Sequence, residues 1–471
     1  MFKHDSLVRS AIARDGCLAS NKEVVKWIRA RNEEVGVAVE RTRLSEMVDW
    51  SFDPTAGLIK HHKGRFFTIE GLSGRCSVDG GKIFSQPIIN QAEIGFLGCL
   101  VREFEGVLHF LVQSKIEPGN INVVQLSPTL QATRSNYTQQ HGGRTPKFLD
   151  MFVKPPPQSV VYDQLQSEQG SRFLRKRNRN FIVYTEQSVI DDEDFRWLTL
   201  GQIKSLCRID NMVNMDLRTV ISGLNLGLRD KTDVRFKTRI DAVNGDFARA
   251  ISESATYGRP ALHSFIELQS WITELKATTE VAIERTRIDA LPDWEFADFG
   301  LTHRRRHEFD VDWVNVAISN REVSEWNQPI LRPNRKSLFA FVTKSIDGIL
   351  HFLTQAKFEF GNLDMYEIGP TVQCYLPDDD DIKADTTVPF VKEVLTVGRE
   401  KVRLDVMQSE EGGRFYKDEN RNMVVEVGDE IPLDEPLNFR WMTLTQIQEF
   451  SRFSNNVNIQ ARSLIAMLEV G

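Results

Sequence analysis

The chain has 471 residues, of which 41% are hydrophobic and 27% charged, with a formal net charge of −7. This is a globular composition with room for two cores, and its acidic balance argues against a nucleic-acid or membrane-surface protein. No apolar run approaches the roughly 18 residues of a membrane span, and MFKHDSLVRSAIARDG lacks the apolar stretch of a secretory signal. The five cysteines, at 17, 76, 99, 207 and 374, form no C-x-x-C pair, so a cytoplasmic protein with reduced thiols and no metal is expected. Cys99 lies in an apolar run and reads as core.

In chain order, 20–48 is expected to be helical, because Val24, Val25, Trp27, Ile28 and Val35 recur at helical spacing. A strand is predicted at 65–70, and a hairpin over 94–104 and 107–117 that turns at Glu105-Gly106. Further strands are predicted at 121–126 and 181–184. Pro155-Pro-Pro157 breaks regular structure and marks an extended surface segment. Two short helices, Leu198 to Cys207 and Met215 to Leu224, close the set. A charged, weakly periodic linker follows, and the same order then repeats. Asp378 to Asp381 reads as a solvated loop, since consecutive carboxylates rarely converge on a metal unaided.

The repeat is literal. Gly106 to Gln131 and Gly348 to Gln373 share 13 of 26 residues at a constant offset of 242, including His109/His351, Gln113/Gln355, Lys115/Lys357 and Glu117/Glu359. Glu40-Arg-Thr-Arg43 with Trp50 returns as Glu284-Arg-Thr-Arg287 with Trp294, and Gln86-Pro-Ile88 as Gln328-Pro-Ile330. The later matches are Ser167-Glu168 with Ser409-Glu410, Arg172-Phe173 with Arg414-Phe415, and Phe195-Arg-Trp197 with Phe439-Arg-Trp441. The period is far too long for a solenoid. The reading is α/β (α+β), two tandem domains from internal duplication with mixed sheets flanked by helices: repeat 1 at 1–226, a linker at 227–260 and repeat 2 at 261–471.

Hydrophobicity alone would preserve a core, whereas preserved amides and charges suggest a duplicated pocket. Along the strand from Gly106, His109, Leu111, Gln113, Lys115 and Glu117 share one face; it reads either as a solvated face or as a binding face. Lysine suits a phosphate, and glutamine can read a base or sugar with its paired donor and acceptor. Arg41, Arg43 and Trp50, and Arg196 with Trp197, could hold a diphosphate and stack a base, or could be structural ion and cation–π pairs. The glycine-bearing loops around Arg172 and Arg414 permit close backbone approach to a ligand. Ser135-Asn-Tyr-Thr138 with His141-Gly-Gly143 occurs in the first copy alone. It brings two proton-transfer side chains, Tyr137 and His141.

The chain has no G-x-G-x-x-G, G-x-x-x-x-G-K-[ST], H-E-x-x-H or G-x-S-x-G. Arg29, Glu33, Glu34, Gly36 and Val37 match the tail of the Nudix hydrolase motif, but Ala30 stands at its key glutamate, so a pyrophosphate-cleaving metal site is not encoded. The duplicated QP…HF(L)xQ(S/A)KxExGN…PTxQ, the single SNYT…HGG, the SE(Q/E)G(S/G)RF loops and the closing FRW(L/M)TLxQI with NxxxR resemble the NDP-hexose 2,3-dehydratases of deoxysugar (antibiotic) biosynthesis. The resemblance implies two Nudix-like domains, a homodimer, and dTDP-4-keto-6-deoxy-glucose as the substrate that loses its C-2 hydroxyl. That chemistry needs a base, an acid and oxyanion donors, with no cofactor in principle. Tyr137, His141 and Glu117 are then the candidate catalytic groups. Trp50, Arg41, Arg43, Lys115, Gln113 and Arg172 are candidates for holding the nucleotide sugar in the first pocket, with Lys357, Arg414 and Trp294 in a matching second one. The alternatives are a non-catalytic nucleotide-sugar binding protein, or a residual Nudix-type hydrolase.

Overall fold

The computed structural model describes residues 4–16, 18–64, 66–133, 145–187, 192–226, 245–305, 308–319, 324–377 and 388–469. Each half opens on two helices, His4–Ile12 with Asn21–Glu33 and Asp246–Ser254 with Phe265–Thr278. Ser20 and Ser264 start the longer helices through capping boxes with Glu23 and Glu267, so a local S-x-x-E signal sets both. The helix expected over 20–48 ends at Glu33. Past Gly36, the alternating β-branched Val37 and Val39 favour an extended chain, and β1 (Val37–Arg41) follows. The expected linker is partly regular: Asp246–Ser254 is the second half's counterpart of the first helix, packed on the second half's sheet.

The first half continues through β2 (Trp50–Asp53), β3 (Leu58–His61), β4 (Thr68–Cys76), β5 (Ile83–Asn90), β6 (Gly95–Phe104) and β7 (Val107–Ile116). It ends with β8 (Val124–Pro128), β9 (Leu130–Ala132), β10 (Val160–Ser167), β11 (Arg177–Tyr184) and β12 (Phe195–Thr199). The second half repeats them as β13 (Val281–Thr286), β14 (Trp294–Ala297), β15 (Gly300–His303), β16 (Phe309–Ile318), β17 (Glu325–Pro333) and β18 (Ser337–Ile346). Then come β19 (Ile349–Phe358), β20 (Tyr366–Gly369), β21 (Val372–Tyr375), β22 (Val402–Ser409), β23 (Glu419–Val427) and β24 (Phe439–Thr443). The hairpin predicted at Glu105-Gly106 is present. Both turn residues have positive φ, 49° and 78°, as a primed two-residue turn requires, and Asp347-Gly348 repeats it.

Among the described residues the strands form four sheets. Each half has a seven-stranded sheet, ordered β10-β11-β6-β7-β12 in the first, with β11 and β6 parallel and β8 and β9 pairing β7 and β6. The two five-stranded sheets are shared. β1 of the first half pairs antiparallel with β16 of the second, and β13 of the second with β4 of the first. Ion pairs mark both exchanges: Arg41 lies 3.2 Å from Asp312, and Arg285 2.6 Å from Glu70. The closing helices Met215–Ser222 and Ile459–Ala466 pack on each other, so Leu217, Val220, Leu464 and Ile465 belong to one apolar core across both halves. Among the described residues no helix is long and apolar enough to cross a membrane.

Candidate active site

Many of the duplicated polar residues turn out to be structural. Thr199 with Gln202, and Thr443 with Gln446, are capping boxes, which accounts for the T-L-x-Q part of the closing motif. Gln86 and Gln328, of the Gln-Pro pairs, donate to Ser171 O (2.5 Å) and Gly413 O (2.8 Å) and so fix the two glycine-bearing loops. Arg218 and Arg462, fully buried, donate across the junction of the halves to Ser409 O (2.6 Å) and Ser167 O (2.5 Å). Buried guanidinium groups need partners for their donors, and here each is met by one carbonyl of its own repeat, Val213 O or Val457 O, and one of the opposite repeat.

The same junction decides which residues meet at each site. The 409–419 loop of the second half crosses to the Glu117–Asn120 turn of the first, with Gly119 N donating to Gly412 O at 2.7 Å and Lys417 N to Gly119 O at 2.8 Å. A Cβ at Gly119 would stand 1.7 Å from Phe415 O, so only glycine fits this close crossing. The first half's loop crosses in the opposite sense, Gly361 N donating to Gly170 O at 2.8 Å. Arg172 therefore serves the second half's site and Arg414 the first's, the reverse of the sequence-based pairing.

In the first site, Lys115 Nζ donates to Gln131 O (3.3 Å) and lies 4.0 Å from Glu117 Oε1. Gln131 Nε2 donates to the same oxygen at 2.7 Å, and Asn214 Nδ2 donates to Gln131 Oε1 at 3.2 Å. Glu117 is 6% exposed, and its Oε2 has no hydrogen-bond partner among the described residues. Arg414 stacks 4.3 Å over Phe67, with its buried Nε likewise unpartnered. Gln113, Lys115 and Gln131 line a cleft of about 340 Å³ with Arg31, Lys147 and Phe195, a volume suited to a small ligand.

In the second site the same groups are closed off. Glu359 Oε1 accepts from Gln373 Nε2 (3.1 Å), and its Oε2 accepts from Gly170 N (3.1 Å). Arg172 donates to Tyr375 Oη at 2.7 Å and pairs with Glu308 at 3.4 Å, and that charge environment raises its pKa further. Lys357 keeps its counterpart's bond, to Gln373 O at 3.4 Å. Thr133 and Phe66 occupy the first-half positions of Tyr375 and Glu308, so no phenol or carboxylate can meet Arg414 from them.

Other expected residues lie elsewhere. Trp50 and Trp294, 4% and 8% exposed, are core residues and offer no face for stacking a base; Trp50 packs behind Phe67 at 4.6 Å. Arg41 is engaged by Asp312 and lies 5.5 Å from Phe299, and Arg43 lies 6.0 Å from the same ring, on the exchanged sheet. Both faces of β7 are buried near its start, where His109 is fully enclosed and burial lowers its pKa. Arg196 stacks on Trp27 at 4.8 Å. Cys99 is core, its thiol pushed up to about 12 by burial. Tyr137, His141 and Asp378 to Asp381 lie outside the described residues. Sequence reading missed Gln131, which the P-T-x-Q match already contained, and Glu411 and Asp216, for which only a difference between the copies gave a signal.

A family model for NDP-hexose 2,3-dehydratases matches residues 21–224 and again 266–468. The chain belongs to that family. It is similar to a dTDP-4-dehydro-6-deoxy-alpha-D-glucopyranose 2,3-dehydratase of Saccharopolyspora spinosa, 41% identical over 98% of this chain and 94% of the relative. Enzymes of the same name from Streptomyces violaceoruber and Amycolatopsis orientalis are 40% and 38% identical, over 93% and 98% of this chain and 95% and 93% of theirs.

Proposed function

We propose that this chain removes water across C-2 and C-3 of dTDP-4-keto-6-deoxy-glucose, giving the 3,4-diketo-2,6-dideoxy sugar nucleotide, and does so in the first half's site. The observation carrying the choice of site is Glu117, a buried carboxylate with one oxygen unpartnered among the described residues, while Glu359 has both oxygens engaged. The 4-keto group acidifies the C-3 hydrogen, so a carboxylate with a free lone pair can remove it. The enolate that forms needs hydrogen-bond donors at the C-4 oxygen.

Glu117 is the base in this reading. Lys115 and Gln113 bind the nucleotide sugar, and Arg414, whose buried Nε has no hydrogen-bond partner among the described residues, replaces Arg172 as the arginine of this site. Tyr137 and His141 are proposed as acid groups at the C-4 oxygen; Gln131 and Pro146, on either flank of their segment, both line the cleft. The second site, with Lys357 and Arg172, is proposed to be non-catalytic. A cytoplasmic homodimer completes the reading, and sedimentation tests its oligomeric part. Incubation with dTDP-4-keto-6-deoxy-glucose, followed by mass spectrometry, tests the reaction. Loss of one water is expected. An unchanged mass despite binding would instead mean a binding protein, and release of dTMP would mean a hydrolase.

A further inference from the structure

The reaction needs an acid for the departing C-2 hydroxyl as well as a base, and the two copies differ in where they keep carboxyl groups. Around Glu117 the crossing loop contributes Glu411, and the first turn of helix Met215–Ser222 contributes Asp216. At the matching positions the second site has amides, Gln169 and Gln460. Gln169 is spent on a hydrogen bond to Glu410. The loop backbone is otherwise the same in both copies, so the acid-for-amide difference is not demanded by the fold.

Resting on the proposed dehydration at the first site, we infer that Glu411, delivered across the junction by the second half, is the acid that protonates the leaving C-2 hydroxyl. Its neighbour Gly412 is hydrogen-bonded to the turn that carries Glu117, and the Glu411 side chain is half-buried rather than sealed in the core. Glu411 Oε1 accepts from Gly413 N at 3.0 Å, which holds the side chain over its own loop. Burial, and then the Glu117 carboxylate beside it, pushes Glu411 up to about 8. Burial, and then Glu411, holds Asp216 well above the usual carboxylate range, so the cluster retains protons at neutral pH. A carboxyl that keeps its proton in a site is a standard source of a general acid.

The proton balance closes on these two groups. Glu117 takes the C-3 hydrogen as a proton, the C-3 electron pair forms the C-2=C-3 bond, and the C-2–O bond breaks. The departing oxygen takes the Glu411 proton and leaves as water. Glu117 is then protonated and Glu411 ionised. Tautomerisation reverses both: Glu117 returns a proton to C-2, and Glu411 accepts the C-3 hydroxyl proton as the second ketone forms. No oxidant, reductant or external acid is consumed.

The test is Glu411→Gln, which gives the loop the side chain already tolerated at Gln169. Wild type and variant are incubated with dTDP-4-keto-6-deoxy-glucose in heavy water and followed by mass spectrometry and proton NMR. Water loss in the variant is expected to fall about 10²–10⁴-fold, while the C-3 position still takes up deuterium, giving a mass gain of one without dehydration. Water loss at the wild-type rate overturns the inference. So does a folded variant that neither dehydrates nor exchanges C-3, because the acid is not needed for the first step. If Glu411→Gln unfolds, Glu411→Asp replaces it, and there an exchange-to-dehydration ratio no higher than wild type overturns the inference. A wild-type chain that releases no water sinks the dehydratase reading itself, which is a different result from a wild type that works and a Glu411→Gln variant that works equally well.

Discussion

The two sites of this molecule are built from matching strands, turns and crossing loops, yet they present different chemistry. In the first, Glu117 has an oxygen without a described partner, and Arg414 stacks on Phe67 with its Nε likewise unpartnered among the described residues. In the second, Gly170, Tyr375 and Glu308 occupy the same valences. A buried polar group without a partner is destabilising, so the unpartnered Glu117 oxygen, set against a Glu359 with both oxygens engaged, is a cost retained for a use. The comparison teaches that preserved residues mark the shared scaffold, and that the differences around them mark the site.

The largest expected effect comes from breaking that asymmetry at its centre. Glu117→Gln should lower the rate of water loss by about 10³-fold, whereas Glu359→Gln should change it by less than about threefold, both read by mass spectrometry of the nucleotide sugar. A larger loss from Glu359→Gln would exchange the roles of the two sites. Next is the junction, where Arg218 and Arg462 each donate to a carbonyl of the opposite repeat. Arg218→Met and Arg462→Met each strand a carbonyl of the opposite repeat and one of their own, and each should cost about 4 kcal/mol in urea unfolding. Very unequal losses would show that the junction is not shared evenly.

Lys204 sharpens the comparison through pH. Its Nζ donates to Ile465 O, Ala466 O and Leu468 O at the end of the closing helix of the other half, at 3.4, 3.2 and 2.9 Å, while Gln448 holds the matching position in the second half. Burial lowers the Lys204 pKa from 10.5 to about 8. The unfolded chain therefore binds more protons between pH 8 and 10.5, and stability rises with pH across that window. The penalty is fully present below pH 8. Relative to Lys204→Gln, the wild type should gain up to about 3 kcal/mol between pH 8 and 10.5, measured by urea midpoints; no change in the difference would mean that the lysine is not desolvated. The smallest effect is Tyr375→Phe. It removes one charge-assisted bond to Arg172, should cost about 1–2 kcal/mol of stability, and should leave turnover unchanged.

Much of this was legible in residues. The helical spacing of Val24, Val25, Trp27 and Ile28 announced the long helix, Glu105-Gly106 a hairpin, and the polar face of β7 a place where Gln113, Lys115 and Glu117 meet. The helix expectation ran too far because Val35 fits a helical stripe, whereas it lies between the helix and β1, and past Gly36 the alternating Val37 and Val39 pair with β16. Trp50 and Trp294 misled for a related reason: an indole near arginines reads equally as a stacking platform or as core, and burial separates the two.

The sequence by itself determined that there are two copies, the order of their elements, and the residue types available for proton transfer, because caps, turns and alternation are written within a few neighbouring positions. Which copy completes which was decided by the tertiary structure alone. β1 lies on β16, β13 on β4, and the loops of Arg172 and Arg414 cross to opposite halves. Each half offers nearly the same edges and turns, so pairing within a half and pairing across halves satisfy the same local rules. The packing of the two closing helices against each other, over a distance of more than two hundred residues in the chain, selects the crossed arrangement.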